Sequence, residues 1–388
     1  MTDKRSLKIC MVSAEFTPFA KTGGLADVSS ALSAYLHDAG HDVLAIMPRY
    51  PRVDEVGSEI VPVDGLQNLE IRIGPHHVHY SIDRTILPDR ELPVHLVRCP
   101  ALFGRPGIYT QDADEHLRFI VLSRVAIELC QHLGFAPDIF HCNDWHTALI
   151  PLYLKAAYGW DRLFDKTRSV FTIHNNGYQG VFGAGVLPDL GLQGTEHHLH
   201  QGDLEHGHIN FLKTGMLYAD LVTTVSPTYA REIQTPEYGV GLDELLRARR
   251  HTVAGILNGV DYQEWNPATD PLIPANYSPG DMRGKAECKR VLQEKLGLEV
   301  QAGRPLVGIV SRLVAQKGLD LVERVIPHLL AQRDFGMAIL GSGEPRYEQF
   351  FHWLQQRFPG RVCFYRGYNT PLAHQIEAGA DLFLMPSL

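Results

Sequence analysis

No apolar run in this sequence approaches the roughly 20 residues needed to span a bilayer. The opening MTDKRSLKIC passes almost directly into a strand-like segment. That leaves no room for the apolar core of a signal peptide or for a Ser/Arg-rich transit peptide. Basic charge is not in excess either. With 36 Lys and Arg against 44 Asp and Glu, the formal net charge is −8. A broad nucleic-acid footprint is disfavoured, although a local basic cleft is not. The six cysteines (Cys10, Cys99, Cys130, Cys142, Cys288 and Cys363) form no C-x-x-C pair, and several fall in apolar runs. They read as reduced, buried thiols. These absences together describe a cytoplasmic protein with neither a membrane nor a nucleic-acid partner.

What is present is ordinary for a globular protein with sizeable cores: 45% hydrophobic and 21% charged residues over 388 positions. That length predicts two domains. Strand-like runs alternate with helical periodicity. Residues 7–13 (LKICMVS) read as a strand. Residues 24–39 read as a helix with Leu25, Val28, Leu32, Tyr35 and Leu36 on one face, ended by Gly40, and 42–47 as the next strand. Short alternating runs in 59–98 suggest inserted hairpins. The alternation resumes with helix 115–133, strand 138–142, helix 146–158, strand 168–173, helix 208–218 and strand 220–225.

A segment rich in Pro, Asn and Asp at 258–282 reads as an interdomain connection. A second series starts at 305: strand PLVGIVS, helix 318–331, strand FGMAILG, helix 344–357, strand VCFYRG, helix 371–379, strand DLFLMPS. Alternation of this kind implies parallel sheets with right-handed crossovers. The predicted fold is α/β. It has two Rossmann-like doubly wound domains, residues 1–258 and 259–388, facing a cleft.

Between the first strand and the first helix stands Lys21-Thr22-Gly23-Gly24-Leu25. Glycines let the backbone turn and approach a ligand, and the N–H groups opening a helix favour an anion. Lys21 adds a point charge. The pattern is not G-x-G-x-x-G, and strand 42–47 is followed by Pro48-Arg49-Tyr50 rather than an acid placed for a ribose hydroxyl. A nicotinamide-dinucleotide reading therefore fails twice. Taken alone, the segment also suits a glycine-rich connector.

The second series carries Ser311-Arg312-Leu313…Gln316-Lys317-Gly318 at the matching place. Two fixed cations suit a diphosphate leaving group, on which negative charge builds as its bond breaks. The plain alternative is a solvated basic loop. Two polar clusters also follow strands: His141-Cys142-Asn143-Asp144-Trp145-His146 and Thr172-Ile173-His174-Asn175-Asn176-Gly177. A single strand-end histidine is often structural, but two clusters at adjacent strand ends point to a site.

Two patterns are set aside. Asp112-Ala113-Asp114 lies ahead of a helix rather than at a buried strand end, so it is not read as a metal site. Residues 197–208 hold five histidines without a clean ligand spacing and read as a polar loop. No metal and no cofactor is expected.

In order, the chain carries K-T-G-G-L at 21–25, D-W-H at 144–146, T-I-H-N-N-G-Y-Q-G at 172–180 and V-S-P-T-Y-A-R-E-I at 225–233. G-I-L-N-G-V-D at 255–261, W-N-P-A-T-D at 265–270, S-R-L…Q-K-G at 311–318 and G-S-G at 341–343 follow. Together they resemble the bacterial glycogen synthase family, relatives of plant starch synthases, along the whole chain. The resemblance implies the glycosyltransferase B fold without a metal. It also implies retaining transfer of glucose from ADP-glucose to the non-reducing end of an α-1,4-glucan such as glycogen.

By that resemblance Lys21, Thr22, Gly23 and Gly24 contact the sugar diphosphate, with Asp27 in the same pocket. Arg312 and Lys317 hold the diphosphate from the second domain. His174 lies under the donor glucose with its backbone carbonyl towards developing positive charge, beside Asn175. Asn258 lines the donor pocket, and Tyr368 packs on the adenine. Tyr109, Asp144, Trp145 and His146 lie towards the glucan, with aromatic faces suited to sugar C–H surfaces.

One departure bears on activity. The sequence stops at Leu388, just before the E-P-C-G-L segment in which the family carries a donor-contacting Glu. The expectation is an incomplete second domain, hence either an active glucosyltransferase or an inactive truncated copy that binds only glucan or nucleotide. The exposed strand DLFLMP would then leave apolar surface at a sheet edge. A different donor base, uracil in place of adenine, also stays open, as does the oligomeric state.

Overall fold

The computed structural model describes residues 6–88, 90–192, 194–262 and 264–387. The chain divides into two compact units, Met1–Gly259 and Val260–Leu388. Among the described residues, no helix is long and apolar enough to cross a membrane.

The first unit is built on a ten-stranded sheet. Its path runs Val253–Gly255, Leu221–Thr224, Arg168–Ile173, Ile139–Asn143, Lys8–Val12, Asp42–Pro48, Pro93–Arg98, His76–Ile86, Val61–Pro62. Every pairing from Val253–Gly255 to Pro93–Arg98 is parallel. The strands Lys8–Val12 and Asp42–Pro48 each open on an exposed residue and are buried thereafter, the pattern of strands covered on both faces. The hairpins expected in 59–98 are present. Leu69–Ile73 and Val61–Pro62 both pair antiparallel with His76–Ile86, which pairs antiparallel with Pro93–Arg98.

Topology places the site. The chain leaves Lys8–Val12 to build the sheet outward on one side, then returns at Ile139–Asn143 to lie on the other side of that first strand. This is a topological switch point, where the loops after two parallel strands diverge and open a crevice at their carboxyl ends. The two diverging loops are 13–23 and the one that begins at Asp144.

The second unit repeats the device. Its parallel sheet is ordered Val362–Arg366, Gly336–Gly341, Leu306–Val310, Leu382–Phe383, so the switch falls beside Leu306–Val310. Leu319, Val322, Ile326 and Leu330, which recur at helical spacing, cover one part of this core with Phe351 and Leu354. Leu292, Leu372 and Ile376 form another. Leu382 and Phe383 are exposed at the sheet edge.

Several local expectations are corrected. The helix Gly24–Asp38 buries Leu25, Ala26, Ser29, Ser30, Ser33 and Ala34, while Tyr35 is 69% exposed. The buried seam is small, and its hydroxyls are satisfied locally: Ser30 Oγ donates to Thr17 O at 2.8 Å and Ser33 Oγ to Ser29 O at 2.6 Å. A hydrophobicity count could not see this face because serine hides when its hydroxyl is bonded.

The helix expected at 146–158 begins with a single tight turn at Trp145–Thr147, and its regular part is Ile150–Ala156. The helix expected at 208–218 starts only at Phe211. Asn210 caps it by accepting Lys213 N, while His208–Asn210 pairs with Val181–Gly183. The helix Arg283–Lys295 was not anticipated beside the polar 258–282 segment, because it buries only Cys288, Lys289, Leu292 and Gln293.

Candidate active site

The loop after Lys8–Val12 is pinned by Phe16 and Phe19, both buried, and by the antiparallel bridge Phe16↔Ala20. It delivers Lys21 half-buried, with its ammonium 2.7 Å from Asp27 Oδ1, which also accepts Thr17 Oγ1 at 2.9 Å. Asp27 is therefore the carboxylate that holds Lys21. Thr22 is exposed, yet its N–H and hydroxyl both donate to Glu15.

Gly23 has φ −167°, extended backbone open to any residue, and Gly24 opens the helix; neither has a positive φ. A Cβ at Gly23 or Gly24 would meet nothing within 4 Å. Neither backbone strain nor packing calls for glycine here, so the turn-forming reason offered from sequence is replaced. What remains is unobstructed access to the loop.

Across the switch point Asp144 leaves its strand with φ 55° and ψ −177°, a conformation that non-glycine residues rarely adopt. Its N–H donates to Thr172 O at 2.9 Å. Its carboxylate accepts the backbone N–H of His174 at 2.7 Å and that of Asn175 at 3.4 Å. Burial, against the pull of the two N–H groups and with a smaller push from the Glu15 charge, raises the Asp144 pKa to about 7.

His174 is held by Asn143, whose Nδ2 donates to Val12 O at 3.0 Å. The Asn143 oxygen, 3.0 Å from His174 Nε2, is then the acceptor, so His174 carries its proton on Nε2. Burial, with His141 adding to it, lowers the His174 pKa to about 3, so the imidazole is neutral at ordinary pH.

Trp145 and His146 are buried. Trp145 packs among Phe119, Phe182, Phe211 and His146, and the His146 ring stacks on Tyr109 at 4.6 Å and 19°. Gly180, with φ +61°, lies against the indole, where an added Cβ would sit 2.3 Å from Trp145 Cε3. The faces expected to meet sugar are thus occupied by protein rings and by Gly180. Both residues follow a strand end, and the family resemblance gives them a glucan-side role, but here their rings pack against other rings in the interior. Tyr109 stays half-buried and Asn258 exposed.

In the second unit the loop after Leu306–Val310 is tied to its neighbour: Leu313 N donates to Ser342 O at 2.9 Å and Glu344 N to Leu313 O at 2.8 Å. Arg312 is exposed and Lys317 half-buried, and among the described residues neither pairs with a carboxylate. Burial lowers the Lys317 pKa, and the nearby Arg312 charge lowers it further. Gly318 has φ +66°, and a Cβ there would lie 1.9 Å from Pro386 O, so this loop requires glycine. Tyr368 is 57% exposed.

The set-aside patterns have internal partners. Arg105 binds Asp112 at 2.8 Å and Asp114 at 2.5 Å, and His200 accepts from Asp203 N at 3.3 Å. Among the described residues, no group of three or more His, Cys, Asp or Glu is placed to hold a metal. Sequence reasoning missed Glu15, and it gave Asn143 no role of its own within the cluster 141–146. Their one visible signal is a polar residue inside an apolar strand end, in SAEF and HCND.

Two Rossmann-like units, each with polar loops at its switch point, define a glycosyltransferase of the B fold class. Residues 8–248 match the family model of the starch synthase catalytic domain. The chain is 44% identical over 386 residues to glycogen synthase 1 of Geobacter sulfurreducens, covering 98% of this chain and 76% of that protein. It is 45% identical over 386 residues to the glycogen synthase of Myxococcus xanthus, covering 98% and 80%. The catalytic domain of starch synthase IV from Arabidopsis thaliana, solved bound to ADP and acarbose, matches with a TM-score of 0.90 at 34% identity, over 99% of this chain and 79% of that one. The chain belongs to the glycogen and starch synthase family of glucosyltransferases.

Proposed function

We propose that the chain transfers glucose from ADP-glucose to the non-reducing end of an α-1,4-glucan, with retention at the anomeric carbon. The observation that carries this is the pair Arg312 and Lys317. Two adjacent cations without a carboxylate raise each other's energy, and a bound diphosphate relieves that repulsion while stabilising the leaving group. Lys21 adds a third cation, exchanging Asp27 for phosphate oxygen beside two glycines that leave the approach open.

His174 suits a position under the sugar because its imidazole is neutral and does not repel positive charge developing at the anomeric carbon. Asn175 and Asn258 serve the donor pocket, Tyr368 the base, and Tyr109 and Asp144 the glucan side. Trp145 and His146 act behind them, by holding Tyr109 and the Gly180 turn in place. The proposed compartment is the cytoplasm, in keeping with six unpaired cysteines.

The test is glucose incorporation into glycogen by the purified chain, offered ADP-glucose or UDP-glucose. Expected are ADP release, glucan extension and competition by ADP in preference to UDP. Co-sedimentation with glycogen without ADP release would instead establish a glucan-binding protein.

A further inference from the structure

Glu15 has no role in the chemistry proposed above, yet three donors converge on its carboxylate. It sits just past the strand Lys8–Val12, 2% exposed. Its own N–H donates to Ser13 Oγ at 3.3 Å, and Ser13 Oγ is held in turn by Ser29 Oγ at 2.9 Å. One carboxylate oxygen accepts Thr22 N–H at 2.5 Å. The other accepts the Thr22 hydroxyl at 2.7 Å and the Tyr109 hydroxyl at 2.5 Å. An ionised carboxylate is acceptor-only and can take several such bonds.

Thr22 follows Lys21 directly, and the Lys21 carbonyl is held from the other side by Arg52 Nη1 at 3.2 Å. Tyr109 stacks on His146, which packs against Trp145. Glu15 thus joins the Lys21 loop to the Tyr109 ring, two pieces of chain 94 residues apart at the contact.

We propose that Glu15 is a positioning residue. It fixes Thr22, and with it the reach of Lys21, and it orients the Tyr109 hydroxyl, so the diphosphate and glucan sides of the first unit keep one geometry. The proposal rests on the reading that Lys21 meets the diphosphate and Tyr109 the glucan. Both carboxylate oxygens are spent on protein donors, so the role is geometric rather than a charge delivered to the sugar.

Geometry and charge separate cleanly in three variants. In Glu15→Gln the amide oxygen can accept Thr22 N–H. The amide NH₂ takes the place of the other oxygen and can donate to both hydroxyls, which rotate their hydrogens to accept. All three contacts survive without the charge. Glu15→Asp keeps the charge but is one methylene too short, and Glu15→Ala loses everything.

The experiment compares kcat and KM for glucosyl transfer, ADP affinity by calorimetry and thermal unfolding for the wild type and these variants. Expected is a kcat within about fivefold of wild type for Glu15→Gln, and a loss of about 100-fold for Glu15→Ala and Glu15→Asp, as for a misplacement of about 1 Å. The KM for glycogen should move much less. Glu15→Gln no better than Glu15→Ala, or Glu15→Asp better than Glu15→Gln, overturns the proposal, as does a fully active Glu15→Ala.

If Glu15→Ala fails to fold, Thr22→Val removes one arm on an exposed residue. It should cost kcat on its own and cost nothing further in the Glu15→Asp background, where that contact is already lost. A wild type that binds ADP but transfers no glucose would sink the proposed function alone. Calorimetry would still decide Glu15, through ADP binding kept in Glu15→Gln and weakened about tenfold in Glu15→Ala.

Discussion

The Asp144 carboxylate accepts the backbone N–H of His174 at 2.7 Å, stitching together the ends of two neighbouring parallel strands. The same residue is buried, and its backbone is strained, with φ 55°. Structure and function pull on it in opposite directions.

Its pKa is raised by burial from 3.8 to about 7. Between those values the native state holds a proton that the unfolded state lacks, so this group's contribution to stability falls as pH rises. Asp144→Asn keeps an acceptor oxygen for His174 N–H and removes the charge. The variant should gain thermal stability relative to wild type at pH 8, with the gain shrinking towards pH 4, while glucosyl transfer declines. Melting curves at the two pH values check it, and a gain independent of pH would contradict the assignment.

Four buried or half-buried histidines act with the other sign. Burial lowers His95 and His141 to about 4, His174 to about 3, and His146 well below its usual 6.5. Unfolded, each binds a proton near 6.5, so stability is lost as pH falls below that value. Burial also raises the carboxylates Asp144, Glu128 and Glu377, which act in the opposing direction, but the four histidines outnumber them. Melting temperature should therefore drop steadily from pH 7 to pH 5. In the native protein, His174 should show the Nε2–H tautomer by ¹⁵N NMR across that range, without titrating.

Gly180→Ala places a Cβ 2.3 Å from the buried indole of Trp145 at a φ of +61°. Overpacking costs about 1–3 kcal/mol, and the left-handed backbone about 1 kcal/mol more. Urea unfolding should show a loss of about 2–4 kcal/mol. Gly23→Ala, where a Cβ meets nothing within 4 Å, should unfold like wild type while losing affinity for ADP.

Lys21→Ala should lower turnover strongly, by about 3 kcal/mol in the barrier, without unfolding the protein. Its ion pair with Asp27 is partly exposed and contributes little to stability. Wild-type kinetics in that variant would remove Lys21 from the site.

Much of this was legible in the sequence because periodicity reports burial. LKICMVS, RSVFTI and FGMAILG are apolar runs, and each became a buried parallel strand. The loops Lys21–Gly24 and Arg312–Lys317 were legible because polar and glycine residues interrupt such runs at strand ends. The serine seam of the first helix and the sparse burial of Arg283–Lys295 were not. In both, hydrogen-bonded or half-buried polar residues stand where apolar ones would be counted.

The sequence by itself determined the α/β alternation, the strand ends that carry chemistry and the family, since each depends on local pattern or on the order of motifs. Only the tertiary structure decided that strand Ile139–Asn143 crosses back beside Lys8–Val12 and so brings Asp144 to the loop of Lys21. It likewise decided that Trp145 and His146 face inward, and that Glu15 binds Thr22 and Tyr109. These are relationships between residues far apart in the chain, fixed by sheet order and by the need of every buried polar group for a partner.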